Sequence, residues 1–257
     1  MLLKDKVCIV AGVGADRSIG FAAARLFAQH GAKLVISNIT LPSDLDEFTA
    51  KLTEGLSGAP TEIAYVECDV TSPASCKALA AAALERFGRI DSLVNCVGIV
   101  GSQKLLEITE NDLEQMLAVN LKGAFYLCQS VLPAMSAQGA GSIVNIASLA
   151  AQRGGGLVGS SHYAASKAGL ISLSHSIARE FGPLGIRANS VCPSATETPM
   201  LDGRLDDEQI AAIASAIPLR RPAKPSDIAG VCLFLASELS AYVTGATMDV
   251  NGGSHIR

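Results

Sequence analysis

No Cys-x-x-Cys pair occurs among the seven cysteines (Cys8, Cys68, Cys76, Cys96, Cys128, Cys192, Cys232), and the four histidines (His30, His162, His175, His255) form no ligand-spaced cluster. A metal site or a disulfide framework is therefore not expected, and the thiols read as small, reduced core residues. Positive charge is short as well: 20 Lys and Arg stand against 24 Asp and Glu, a formal net charge of −4. That leaves no general basic field for nucleic acid. No uninterrupted apolar run is long enough to span a bilayer. The N-terminal MLLKDKVCIVAG meets glycine after a short apolar run, without the longer hydrophobic stretch and cleavage site of a secretory leader. Cytoplasmic residence, with no membrane or nucleic-acid partner, is the resulting expectation. Low-complexity linkers, charge blocks and internal repeats are missing too, so nothing divides the chain. What remains is a 257-residue sequence, 49% hydrophobic, long enough to bury one sizeable core.

Short β-rich runs alternate with longer Ala- and Leu-rich ones: KVCIVA, IGFAAARLFAQHG, AKLVIS, EIAYVECD, SCKALAAAALERFG, DSLVNCVG, and so on to ATMDVNGG. The rhythm predicts an α/β fold, a doubly wound parallel sheet between two helical layers, as a single domain over residues 1–257. Gly31, Gly88 and Gly182-Pro183 stand where helices should stop. NDLEQMLAVNLKGAFYLCQSVLPAM reads as one helical run. In such three-layer folds of Rossmann type, ligands bind beyond the carboxyl ends of the strands, at the point where strand order reverses. Chemistry is therefore expected after KVCIVA, VNCVG, VNIAS and NSVCP.

The stretch AGVGADRSIG, Ala11 to Gly20, follows the first strand and opens the first helix. Gly12, Gly14, Ser18, Ile19 and the helix N-terminus can face an anionic pyrophosphate. Four further segments agree with it: NCVG (Asn95–Gly98), VNLKGAF around Asn120, NIAS ending at Ser148, and YAASK (Tyr163–Lys167). Together they make the sequence resemble the short-chain dehydrogenase/reductase family over nearly its whole length. The glycine loop departs from the family's T-G-x-x-x-G-x-G: Ala11 replaces Thr, Ser18 replaces the middle Gly, and two residues are added. That loop is similar to the one in bacterial enoyl reductases, a divergent branch whose catalytic pair is Tyr-x6-Lys. Here Leu170 lies seven residues after Tyr163 and Ser160 seven before Lys167, so the pair favours carbonyl/alcohol chemistry. Pro193-Ser194 stands where the family commonly has Pro-Gly.

Reducing a carbonyl takes a hydride on carbon and a proton on oxygen. Tyr163 and Lys167 are i and i+4 on an expected helix and share a face, and an adjacent ammonium should lower the phenol's pKa. The resemblance implies Tyr163 as general acid/base, Lys167 tuning it and holding the nicotinamide ribose, Ser148 positioning the substrate oxygen, and Asn120 in a proton relay. It also implies cofactor contacts from Asp69 and Val70 at the adenine, from Asn95 and Gly98, and from Thr198 near the nicotinamide. Asn38 occupies the position where an acidic residue would repel a 2′-phosphate, and Arg17 corresponds to a basic residue of NADP-preferring relatives, so NADP(H) is expected over NAD(H). A mobile substrate-covering segment is expected at about 194–217, where DDE (206–208) suits the first turn of a helix. A small neutral ketone or secondary alcohol is the expected substrate, and a homotetramer the implied assembly. The alternatives are an enoyl-thioester reductase and a catalytically silent cofactor-binding scaffold.

Overall fold

The computed structural model describes residues 1–56, 61–156 and 158–256. Its strands are β1 (Val7–Ala11), β2 (Lys33–Asn38), β3 (Ile63–Glu67), β4 (Ser92–Asn95), β5 (Gly141–Ile146), β6 (Ile186–Pro193) and β7 (Thr247–Val250). All pair in parallel in the order β3-β2-β1-β4-β5-β6-β7. The apolar runs form strands because the sheet buries both of their faces. Cys8, Val10, Leu34, Ile36, Val94 and Val144 pack into one hydrophobic cluster, while Val7, Ile9, Val35, Leu93 and Ile143 pack into the other. This period of two across a two-sided core is what a continuous rather than alternating hydrophobic run encodes. Each fully buried Leu or Ile contributes about 1.5–3 kcal/mol.

The helices are α1 (Ile19–Gln29), α2 (Leu45–Thr53), α3 (Pro73–Phe87), α4 (Glu110–Leu117), α5 (Gly123–Gln138), α6 (Ala150–Arg153), α7 (Ser161–Phe181), α8 (Asp207–Ala216) and α9 (Pro225–Ala236). Side chains of α1, α2 and α9 fill the first cluster, and those of α3, α5 and α7 fill the second. Local chemistry sets the starts. Ser18 caps α1 by accepting a bond from the Phe21 amide at 3.1 Å, and Asp206 caps α8 in a reciprocal pair with Gln209.

The run read as one helix from α4 to α5 is instead divided by a π-helical segment, Ala118–Lys122. Asn120 lies at its middle, and both atoms of its amide bond the backbone of Ile99 on the loop after β4. Such widened turns recur where a side chain is held for function.

The chain winds outward from β1 to β3, then returns so that β4 lies on the other side of β1. This reversal opens a crevice at the carboxyl ends of β1 and β4. Among the described residues no helix is long and apolar enough to cross a membrane.

Candidate active site

A cavity of about 1040 Å³ occupies the crevice, lined by residues from the ends of β1, β4, β5 and β6, the N-terminus of α1, the face of α7, and the segment before and within α8. Gly12 begins it. Its φ is +89°, and an added Cβ would lie 2.8 Å from the Cys96 carbonyl carbon and the Val97 amide, so the β1 and β4 loops can meet only with glycine here. Ala15, Ser18 and Ile19 follow along the wall. With Ser18 as N-cap, the amide groups and positive end of α1 face a region suited to an anion.

Asn38, at the end of β2, lines the cavity beside Gly14 and donates from Nδ2 to the Thr40 carbonyl at 3.0 Å. Asp69 and Val70 line it after β3. The Asp69 Oδ1 accepts from the Thr71 amide (2.9 Å) and hydroxyl (2.7 Å), which fixes the carboxylate at the edge of the cavity. Thr198 contributes from the segment that follows β6.

The reactive side chains converge on the opposite wall. Tyr163 and Lys167, one turn apart on α7, are both buried and both line the cavity. The Ser148 hydroxyl, after β5, hydrogen-bonds the Tyr163 phenol and also accepts from the Ala150 amide at 3.1 Å. Lys167 Nζ donates to the Ile146 carbonyl at 2.8 Å and stands 6.0 Å from the centre of the Tyr163 ring. Burial pushes its ammonium down to about 8, which leaves it mostly charged at neutral pH.

Here the structure departs from the expectation of an acidified phenol. Burial raises the Tyr163 pKa, and the Ser148 hydrogen bond offsets that only in part. The physical reason is that the ammonium is engaged by a backbone carbonyl and faces the ring, so desolvation outweighs charge.

Gly98 explains how lysine and asparagine approach each other. A Cβ there would lie 3.1 Å from Lys167 Nζ and 3.3 Å from Asn120 Oδ1. Asn120 itself stands behind the cavity wall: Oδ1 accepts from the Ile99 amide (2.8 Å), and Nδ2 donates to the Ile99 carbonyl and the Ser166 hydroxyl (3.0 Å each).

The cavity thus brings together Gly12, Ser18, Ile19, Asn38, Asp69, Val70, Gly98, Ser148, Tyr163, Lys167 and Thr198. Two residues expected at the cofactor stand elsewhere. Asn95 is buried, donating to Asn145 Oδ1 and accepting from the Val97 amide, each at 3.1 Å, so its side chain shapes the β4 turn instead of lining the cavity. Arg17 also lies off the cavity wall, its guanidinium paired with the Asp202 carboxylate. Ile146, whose backbone holds Lys167, and Ser166, which holds Asn120, were not anticipated: the first acts through a carbonyl that every residue carries, and the second is one of several serines on α7.

The donor set fits a dinucleotide. A glycine turn closed to any Cβ leads to a capped helix N-terminus at the middle, with Asn38 and Asp69 toward one end and Tyr163, Lys167 and Thr198 toward the other. The volume stands at the upper end of small-molecule sites.

The chain is similar to known proteins over nearly its whole length. A family model described as enoyl-(acyl carrier protein) reductase matches residues 12–255. The chain is 43% identical over 255 residues to an uncharacterized short-chain type dehydrogenase/reductase of Sinorhizobium fredii, covering 98% of each. It is 38% identical over 253 residues to a 3-oxoacyl-[acyl-carrier-protein] reductase of Thermotoga maritima, covering 98% of this chain and 99% of the relative. Among solved structures, a Brucella melitensis protein titled short-chain dehydrogenase/reductase SDR:glucose/ribitol dehydrogenase superimposes with a TM-score of 0.88 at 36% identity, covering 100% of this chain and 99% of that one.

Proposed function

The chain belongs to the short-chain dehydrogenase/reductase family, and from that premise we propose how its residues carry the reaction. It is an NAD(P)-dependent oxidoreductase that interconverts carbonyl and alcohol groups. The observation that carries the assignment of roles is the meeting of Ser148, Tyr163 and Lys167 on one cavity wall, with the serine hydroxyl bonded to the phenol.

When bound, the nicotinamide supplies or accepts the hydride. Tyr163 is the general acid: because burial keeps its phenol protonated, the proton is on the oxygen when a carbonyl arrives, and it passes to the developing alkoxide. Ser148 orients the substrate oxygen toward that phenol and stabilises charge forming on it. Lys167 places a positive charge beside the phenol, which stabilises the phenolate left after transfer. Asn120 is a positioning residue that holds the Ile99 loop and, through it, the wall opposite Lys167; we assign it to the path by which Tyr163 recovers a proton.

Gly12, Ser18 and Ile19 hold the pyrophosphate, Asn38 the adenosine ribose, Asp69 and Val70 the adenine, and Gly98 and Thr198 the nicotinamide half. NADP(H) is the proposed preference, since the neutral Asn38 sets no charge against a 2′-phosphate. The substrate is proposed to be a small neutral ketone or secondary alcohol. Beyond Ser148 the walls are largely apolar, with Val100, Leu149, Met200, Leu201 and Leu205 set beside Gln115 and Arg153, and segment 194–217 serves as a mobile cover. Leu113 on α4 and Phe125 on α5 are exposed apolar residues on the helices through which a homotetramer is proposed. Seven free thiols suit a reducing compartment, and the cytoplasm is the proposed location.

Enoyl reduction is the weaker reading. The position at which a Tyr-x6-Lys pair would need its lysine is Leu170, which is fully buried in the core behind α7.

The test is a panel of ketones, secondary alcohols and enoyl thioesters with NADPH and NADH, followed by nicotinamide absorbance. Carbonyl turnover is expected, falling by about 10²–10⁴ in Tyr163→Phe while dinucleotide affinity is retained. Turnover that survives the substitution removes the phenol from proton transfer.

A further inference from the structure

Among the described residues one ion pair joins the glycine loop to segment 194–217, that of Arg17 with Asp202, residues 185 positions apart. Both side chains are a little over half exposed. Neither lines the cavity, yet each is bracketed by residues that do: Ala15 and Ser18 around Arg17, and Leu201 just before Asp202. The pair therefore crosses the rim of the cofactor crevice. It also commits the only guanidinium of the glycine loop, on the same loop as Gly14, against which the Asn38 side chain packs.

We propose that Asp202 is a specificity-determining residue for the cofactor: by pairing with Arg17 it withholds that guanidinium from a phosphate on the 2′-oxygen of the adenosine ribose. The proposal rests on the assignment of Asn38 to that ribose. A ribose 2′-hydroxyl asks nothing of Arg17, so the pair stays closed over a cofactor lacking the phosphate. A 2′-phosphate offers Arg17 a doubly charged partner in place of a single carboxylate, and gaining it means releasing Asp202. Segment 194–217 then loses its tie to the glycine loop. Cofactor identity and the closure of the segment are thereby linked through one arginine, and the preference is smaller than an unpaired arginine would give. The exposure of both partners limits the effect to what a surface ion pair is worth, about two- to fivefold in affinity.

The experiment measures binding without turnover. The probes are adenosine 2′,5′-bisphosphate and adenosine 5′-monophosphate, titrated calorimetrically into the wild type, Asp202→Asn, Arg17→Gln and the double variant. Asp202→Asn should tighten the 2′-phosphorylated probe about two- to fivefold and leave the other unchanged. Arg17→Gln should weaken only the 2′-phosphorylated probe, and in its background Asp202→Asn should have no effect. An Asp202→Asn effect equal on both probes, an effect that persists without Arg17, or no effect at all would each overturn the proposal. The wild type's own preference tests the NADP(H) reading separately: a wild type that favours the probe without the 2′-phosphate defeats that reading, while the Asp202→Asn ratio still decides this one. Both positions are exposed, and equal thermal midpoints confirm that all four proteins fold alike.

Discussion

Replacing Lys167 by methionine should abolish turnover while leaving the ligand-free protein as stable as the wild type or more so. The lysine is 3% exposed, and burial drops its ammonium from the ordinary 10.5 to about 8. That drop corresponds to about 3 kcal/mol of stability withheld at neutral pH. The folded state holds the proton less tightly than the unfolded chain. Below pH 8 both states are charged and the whole cost applies; between about 8 and 10.5 the folded state sheds its proton first and stability rises; above 10.5 the cost is gone. Methionine removes the charge but orphans the Ile146 carbonyl, which costs about 1–3 kcal/mol. At pH 7 the variant should therefore be about 0–2 kcal/mol more stable, with a melting point between unchanged and about 6 °C higher. At pH 10 that advantage should reverse, because the wild type no longer carries the buried charge. Urea denaturation of ligand-free protein at one fixed protein concentration, at pH 7 and pH 10, measures both differences. A variant more than about 2 kcal/mol less stable at pH 7, or a difference that does not change between the two pH values, would refute the reasoning.

Gly98→Ala should lower kcat with little loss of stability, because the new methyl would lie 3.1 Å from Lys167 Nζ and 3.3 Å from Asn120 Oδ1 and displace them by a few tenths of an ångström; steady-state kinetics and a melting curve check it. Asn120→Ala should cost about 1–3 kcal/mol, measured by denaturant unfolding, since the half-buried Ile99 amide and carbonyl both lose this partner. A phenol raised by burial is protonated at neutral pH, so carbonyl reduction should be flat around pH 7. Alcohol oxidation, which needs the phenolate, should climb as pH rises; initial rates in both directions across pH 6–10 show whether it does.

Most of the sheet was legible because its strands are buried on two faces, and a run such as VCIVA can satisfy that environment only as a strand. Ser148, Tyr163 and Lys167 were legible for a different reason: the segments NIAS and YAASK, in that order, resemble those of the short-chain dehydrogenase/reductase family. The π-helical segment around Asn120 was not, because shifting one backbone hydrogen bond leaves no mark on residue type. Nor was the state of the phenol: its pKa depends on whether an ammonium or a desolvating wall dominates, and Lys167 turns to a backbone carbonyl that no sequence pattern displays. The resemblance made Asn95, the last residue of β4, a cofactor ligand, but its partner Asn145 is 50 residues away on the adjacent strand. Arg17 carries the same lesson over a longer span, with its partner Asp202 in the segment after β6.

The most direct measurement of the central claim follows the hydride itself. With a nicotinamide cofactor deuterated at the transferred position and a ketone that is turned over, mass spectrometry of the product should find one deuterium on the carbinol carbon, and Tyr163→Phe should suppress its appearance. A carbinol carbon without deuterium, or deuterium transferred at the wild-type rate without the phenol, would contradict the account.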